Sequence, residues 1–472
     1  MAQNVQSNNG NPFFFQHTPI NSVKVSLKTW RARLAQFSSL ENILTLIVPK
    51  AFGLLANVAS TILIVRALSV EDVGAYTLVV GYYMLMLVLS DLGINQTVLR
   101  YASKVATLEQ EHTQLLNWGV RLKLLSLCAF GLLFLLLAPI VAEFWGNTSL
   151  APIMQLSLLT GVASSMLAMP IVYFQSKQAF KQVGVLIALQ SLFNLLPLLY
   201  LQVSGAWSLT AVVVSGVVSS GLILVIGMMM MPIKTYWNTD TFKQCLTEPK
   251  SIVIAPIKRE FNSETEFLSP TRYLLFIMPA GLLFALASRV DVWLMGYFLT
   301  KSEIGVYGLA QRIALPLMAV SESVDGALSP VASAIKERER VGSFLKSSLI
   351  TVVGMMAAGV LYATVVPHVV PILFGEAYQS GVWVTSLLCL RLVVGMASSP
   401  FTWIAYNFDY AKVQWAVRIV QLGVMIALNL VLLSHWGIFA PATAWVVFEL
   451  IGIVSAIGFL FLSLQKSGIS QS

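Results

Sequence analysis

Leu68-Ser-Val-Glu-Asp72-Val-Gly74-Ala-Tyr76 returns 231 residues later as Leu299-Thr-Lys-Ser-Glu303-Ile-Gly305-Val-Tyr307. Leu, Gly and Tyr are identical in the two copies, and Ser/Thr, Asp/Glu and Val/Ile are conservative exchanges. Each copy separates two long apolar runs. A Ser or Thr with an acid three residues later forms a capping box, which satisfies free N–H groups at the start of a helix. The same offset carries Ser90-Asp91 onto Ser321-Glu322 and Lys181 onto Lys412, while Phe144-Trp145-Gly146 resembles Leu373-Phe374-Gly375 at an offset of 229. Matches at nearly one spacing, in equivalent places, mark a chain built from two copies of one unit.

The flanking runs decide what that unit is. Of 472 residues, 57% are hydrophobic and 11% charged, with a mean hydropathy of +0.79. Soluble domains carry about 25% charged residues, so this composition excludes a soluble enzyme, a nucleic-acid binder and a disordered scaffold. About 20 apolar residues cross the hydrocarbon core as a helix. Twelve runs qualify, near 42–66, 73–97, 119–142, 150–174, 183–204, 208–233, 273–297, 303–330, 345–373, 380–404, 414–434 and 437–464. They are far longer than the strands of a membrane barrel. The expected fold is an all-α polytopic membrane protein with twelve transmembrane helices in two pseudo-symmetric six-helix bundles. Residues 42–234 form the first bundle and 272–466 the second, joined by a polar cytoplasmic linker, 235–271. Residues 1–41 form a tail in which Leu27, Trp30, Leu34 and Phe37 share one face of an interfacial amphipathic helix on the membrane lipids. Residues 467–472 form a short second tail.

Loop charge predicts the orientation. Of the 29 Lys and Arg, 23 fall in the even-numbered connections, the linker and the tails. Basic loops stay in the cytoplasm, so both termini are expected there and the net charge of +8 needs no nucleic acid to explain it. Cys128, Cys245 and Cys389 are far apart and the four histidines scattered, which implies neither a disulfide framework nor a metal site. Some forty mostly polar residues precede the first apolar run, so that span is expected to double as an uncleaved insertion signal. Two halves with even numbers of spans share orientation. The axis relating them lies along the membrane normal, the geometry in which two bundles rock about a central cavity.

Arg66-Ala-Leu-Ser69, Val73-Gly74-Ala-Tyr76, Asp91-Leu-Gly93 and Arg100 resemble the opening signature of the polysaccharide flippases. These belong to the multidrug/oligosaccharidyl-lipid/polysaccharide exporter superfamily. Gly305-Val-Tyr307-Gly-Leu-Ala-Gln-Arg312 and Leu373-Phe374-Gly375-Glu-Ala-Tyr378 are similar to its later landmarks, and the resemblance spans roughly 42–464. It implies a V-shaped pair of bundles in a bacterial plasma membrane. These would flip an undecaprenyl-diphosphate-linked oligosaccharide, such as an O-antigen unit, outward by alternating access. Polysaccharide polymerase machinery is an expected partner, no cofactor is expected beyond an ion gradient or the membrane potential, and the internal pseudo-dimer makes a monomer a sufficient unit.

Ionisable residues inside spans cost about 2.5–3.5 kcal/mol each by insertion scales and default to functional candidates. Lys50, Arg312 and Arg391 fall near the midplane, with Arg289 in the outer half of its span. These four are the expected substrate-binding cations, arginine being able to chelate phosphate oxygens bidentately. Each could instead pair with a carboxylate and lock helices together. Arg289 and Asp291, two residues apart, point about 200° apart on a helix, so one is expected to face the lumen and the other a neighbouring helix. Asp91 and Glu322, at repeat-equivalent positions near the cytoplasmic ends, are expected to be gating residues or, equally, simply solvated at the interface, and Asp291 is grouped with them as a gating candidate. Glu449, the one acid at similar depth to the three cations, is the candidate coupling carboxylate. It could equally be the structural partner of an arginine. Tyr82, Tyr83, Trp293 and Trp403 could stack on sugar rings, although packing and interfacial belts account for most such aromatics. Two further readings compete: a cation-coupled multidrug antiporter of the same superfamily, and a non-transporting membrane component of polysaccharide assembly. The antiporter should favour acids over cations at the midplane. A membrane polymerase or ligase fits poorly, because the outer connections are too short to carry catalytic groups.

Overall fold

The computed structural model describes residues 40–232, 270–333, 339–406 and 410–468. The expectations for the first tail and the linker therefore lie outside the described residues. The first half consists of α1 (Leu40–Ala67), α2 (Val70–Asp91), α3 (Ile94–Lys104), α4 (Glu109–Phe144), α5 (Ala151–Ser176), α6 (Phe180–Ser204) and α7 (Leu209–Met229). The second half consists of α8 (Pro270–Phe298), α9 (Lys301–Ser333), α10 (Glu339–Phe374), α11 (Val382–Tyr406), α12 (Tyr410–Trp436) and α13 (Phe439–Gly468). Among the described residues, twelve helices are long and apolar enough to cross a membrane, and there is no strand. The first residues of α1 and the last of α13 lie on one side, called here the terminal face.

One predicted span is corrected. The run 73–97 does not continue as one helix: Leu92 and Gly93 both adopt left-handed backbone conformations, with φ of 47° and 80°. They stop α2 at Asp91 and turn the chain into the short amphipathic α3, which buries Ile94, Val98 and Tyr101. Apolar length alone hid this break, because Leu92 is an uncommon residue at positive φ.

The repeated boxes open α2 and α9 as helix caps. Ser69 Oγ accepts from the Asp72 N–H at 3.1 Å. In the second copy the box is reciprocal: Thr300 Oγ1 accepts from Glu303 N–H at 3.3 Å, and Glu303 Oε2 accepts from the Thr300 N–H at 2.9 Å.

The same two helices form the main seam between bundles, and glycine lets them do so. A methyl group on Gly74 would overlap the Lys301 carbonyl, and one on Gly305 would overlap the Val70 carbonyl. Lys301 is Val70 shifted by 231, so the crossing is reciprocal and the pseudo-twofold axis passes between the two glycines. Small residues at a membrane helix crossing permit such backbone contact. Gly308 continues the seam against Thr77, and Gly81 against Val292. All of this lies in the half of the membrane away from the terminal face. There Arg66 Nε also donates to the Leu373 carbonyl across the bundles at 2.8 Å. Trp293 of α8 enters an aromatic slot of the first bundle, with its ring 5.8 Å from Tyr82 and 5.8 Å from Trp145, whose Nε1 donates to the Trp293 carbonyl. The bundles are closed together on the face opposite the termini.

Candidate functional site

Beside that seam, and lined in part by its residues Thr77, Gly81, Val292 and Gly308, lies a cavity of about 610 Å³. Seven helices of the two bundles wall it: α1, α2, α5, α6, α7, α8 and α9. Its polar lining is rich in neutral groups, with Asn57 and Ser60 on α1, Gln190, Ser191 and Asn194 on α6, and serines of α7. Two charged side chains enter it, Arg289 from α8 and Arg312 from α9, and no Asp or Glu is among its lining residues. Arg312 stands 11 residues in from Lys301, about 17 Å along the helix, and Arg289 nine residues from Phe298, about 14 Å. Both therefore sit near mid-membrane.

Neither guanidinium is neutralised. Arg312 lies over the face of Tyr76 at 4.7 Å. Arg289 Nη2 approaches the Met84 sulfur at 2.9 Å, a weak acceptor, and its buried Nε has no hydrogen-bond partner. Among the described residues, no carboxylate forms an ion pair with either. Holding two half-buried cations at this depth without counter-charge is costly unless water or an anionic ligand compensates them. The cavity thus offers two arginine forks and a ring of amides and hydroxyls, a set matched to a phosphorylated, polyhydroxylated ligand.

The other predicted residues go elsewhere. Lys50 is exposed on α1, one turn before the first lining residue, Gly53, and does not line the cavity. Arg391 sits inside the second bundle, its guanidinium 3.6 Å from the Trp445 ring centre and its Nε 3.6 Å from Glu449 Oε1. Asp91 is held by the buried Lys123 at 2.5 Å, within the first bundle and not across the seam. Glu322 is exposed. Asp291 is fully buried on the face of α8 away from Arg289. Its Oδ2 accepts from Tyr307 Oη at 2.9 Å, Trp445 Nε1 at 2.9 Å and Gln311 Nε2 at 3.3 Å, and its Oδ1 from the Val292 N–H at 2.7 Å. Of the four aromatics, only Tyr83 lines the cavity. Tyr82 is packed in the seam, its hydroxyl bonded to the Phe134 carbonyl, and Trp403 Nε1 donates to Asp325 at 3.0 Å.

Sequence reasoning missed three residues. Lys123 is counted among the bases of the second connection but is buried on α4, where it pairs with Asp91. Gln311 and Trp445 join Asp291 to its surroundings and carry no signal in an apolar run.

Two helical bundles related by a membrane-normal axis meet on one face beside a polar cavity, and this arrangement defines the fold. Solved structures agree on the fold. A lipid II flippase, MurJ, in its inward closed conformation, has a TM-score of 0.63 at 14% identity, covering 89% of this chain and 90% of that one. An inward-facing multidrug resistance MATE family transporter of the MOP superfamily has 0.58 at 13%, covering 89% and 96%. The Vibrio cholerae MATE transporter VcmN has 0.57 at 13%, covering 94% and 98%. No curated protein matches the chain by sequence. A family model described as polysaccharide biosynthesis protein matches residues 39–336, well over half of the chain, and the protein belongs to that family.

Proposed function

We propose that this protein is a flippase that moves an isoprenoid-diphosphate-linked oligosaccharide, an O-antigen or related repeat unit, across the bacterial plasma membrane. The observation that carries the reading is the 610 Å³ cavity, into which Arg289 and Arg312 project without a single acidic neighbour. With the termini in the cytoplasm, as the basic connections imply, this conformation is sealed toward the outside and receives substrate from the cytoplasmic leaflet. The diphosphate docks on the two guanidiniums while the sugars meet the amides and hydroxyls. Rocking of the bundles about the Gly74–Gly305 crossing then exposes the same cavity outward, with no covalent step. A site for cationic drugs would need acids where this cavity holds arginines.

Deletion of the gene in its native host tests the reading. Loss of surface polysaccharide, with undecaprenyl-diphosphate-linked units trapped on the cytoplasmic side, is expected. Normal glycan and intermediates together with altered sensitivity to cationic drugs would move the protein to the antiporter branch.

A further inference from the structure

Two acids of the second bundle, Asp325 and Glu449, line a different cavity. It has a volume of about 290 Å³ and lies between α9, α11, α12 and α13, in the half of the membrane toward the terminal face and reaching mid-membrane at Glu449. Asp325, Arg418, Gln421 and Glu449 line it with hydroxyls from Ser398 and Thr402. Most of these groups are already satisfied. Asp325 accepts from Ser399 Oγ at 2.6 Å and from Trp403 Nε1. Gln421 donates to the Phe448 carbonyl at 2.8 Å and accepts from Arg418 Nη1 at 3.1 Å. Glu449 is held more loosely. Arg391 Nε stands 3.6 Å from it, beyond hydrogen-bond reach, and that buried Nε has no hydrogen-bond partner.

From Glu449 a continuous set of contacts runs back to the substrate cavity. Arg391 is seated on the Trp445 ring, Trp445 Nε1 donates to Asp291 Oδ2, and the same oxygen accepts from Gln311 Nε2. Gln311 lines the substrate cavity. Tyr307, also bonded to Asp291 Oδ2, is two residues from the seam glycine Gly305. One carboxylate, Asp291, therefore joins the second cavity, the substrate cavity and the seam.

We propose that the 290 Å³ cavity is a proton site. Glu449 binds and releases a proton there, and the Arg391–Trp445–Asp291–Gln311 chain couples that event to the substrate cavity and the seam. The inference deepens the transport reading, on which it rests, by naming the driving ion and its route. A carboxylate that takes a proton becomes a neutral carboxyl, and Arg391 loses its counter-charge. The guanidinium is then held by the Trp445 face alone, and the indole that fixes Asp291 is free to shift with it. Charged groups face Glu449 from each element around it: Arg391 from α11, Arg418 from α12 and Asp325 from α9. Two guanidiniums beside one carboxylate repel a metal cation. Among the described residues, no three His, Cys, Asp or Glu side chains stand together as metal ligands. The cavity's hydroxyls and amides can order water for proton delivery.

The test uses the full chain in lipid vesicles and needs no substrate, so it stands or falls apart from the gene-deletion experiment. Infrared difference spectra between acidic and neutral pH report protonated carboxyl groups, and hydrogen exchange of residues 70–77 and 301–308 reports the seam. The expected result is a carboxyl band that titrates in the wild type, disappears in Glu449→Gln and is restored in Glu449→Asp. Seam exchange should change with pH in the wild type and become pH-independent in Glu449→Gln. Trp445→Phe keeps the stacking ring but removes the donor to Asp291, so it should retain the band and lose the seam response. A band that survives Glu449→Gln, or that sodium chloride abolishes at fixed pH where choline chloride does not, overturns the proton site. A seam that ignores pH in the wild type, or still follows it in Trp445→Phe, overturns the coupling chain.

Discussion

The reciprocal crossing of α2 and α9 makes a quantitative prediction about the balance between closed and open states. Gly305→Ala places a methyl group against the Val70 carbonyl, and Gly74→Ala places one against the Lys301 carbonyl. These neighbours are backbone atoms and cannot rotate aside, so the helices must part. Overpacking of this kind costs about 1–3 kcal/mol. Alanine favours a helix over glycine by about 0.8–1.0 kcal/mol, but it does so in both conformations and cancels from their difference. The closed state alone bears the clash, so the open population rises about 5–150-fold. A suitable reporter is the full chain with Cys128, Cys245 and Cys389 replaced and Ser60→Cys introduced in the cavity wall. It is labelled by a membrane-impermeant maleimide added on the face opposite the termini. The labelling rate should rise by that factor in either variant. The double variant should fall short of the product, because both methyl groups act on one contact. Gly221→Ala, where a methyl meets open space, should leave the rate unchanged. Wild-type labelling rates in both seam variants would refute the crossing as the gate.

Arg312→Ala and Arg289→Ala should each abolish transport while leaving protein abundance normal, read by surface glycan and immunoblot in a deletion strain. Loss of abundance instead would show that the guanidiniums support packing. Lys123→Met leaves Asp91 without its buried partner and should destabilise the first bundle by about 3–5 kcal/mol, toward the lower end because Asp91 is 24% exposed. Unfolding in detergent measures this, and adding Asp91→Leu should recover much of the loss. Thr300→Ala removes both bonds that Thr300 Oγ1 makes to Glu303 and should lower stability by about 0.5–2 kcal/mol, with Ser69→Ala costing less because only one bond is lost. Equal losses would argue against the second bond of the Thr300 hydroxyl.

Much of the architecture was legible because the bilayer imposes it. Twelve runs of sufficient length, the duplicated cap and the parity of spans all express constraints local to the chain or periodic along it. The break at Leu92 was not legible, since nothing in its apolar flanks announces a left-handed turn. For the site, sequence gave depth but not direction. Lys50, Arg312 and Arg391 are expected near the midplane and Arg289 in the outer half of its span, yet it is Arg289 and Arg312 that reach the cavity, because facing depends on how the helices rotate against their neighbours. The opposition of Arg289 and Asp291 was foreseeable from helical geometry alone, and the structure places them on opposite faces of α8. Trp445 and Gln311 acquire meaning only through contacts with Asp291, at sequence separations of 154 and 20.

The repeat also shows how a symmetric scaffold holds an asymmetric site. At the offset of 231, Arg289 corresponds to Val58, Asp291 to Ser60, Gln311 to Val80 and Arg312 to Gly81. Ser60, Val80 and Gly81 line the same cavity as the arginines, so the first copy contributes a neutral wall where the second contributes charge. The paired tyrosines diverge likewise. Tyr76 offers its ring face to Arg312, whereas its counterpart Tyr307 donates its hydroxyl to Asp291. At the crossing itself the two copies remain alike, Gly74 against Gly305. A rocking joint needs equivalent surfaces on both bundles, because each helix must clear the other's backbone. A binding site need be charged on one side only, provided both walls close around it. Restoring symmetry by Gly81→Arg would therefore crowd a third guanidinium into a cavity already holding two without counter-charge, and Val292, packed against Gly81, leaves no room for it. On the proposed mechanism, divergence of the two halves is thus a condition for binding an anion, while their identity at the glycine crossing is a condition for rocking.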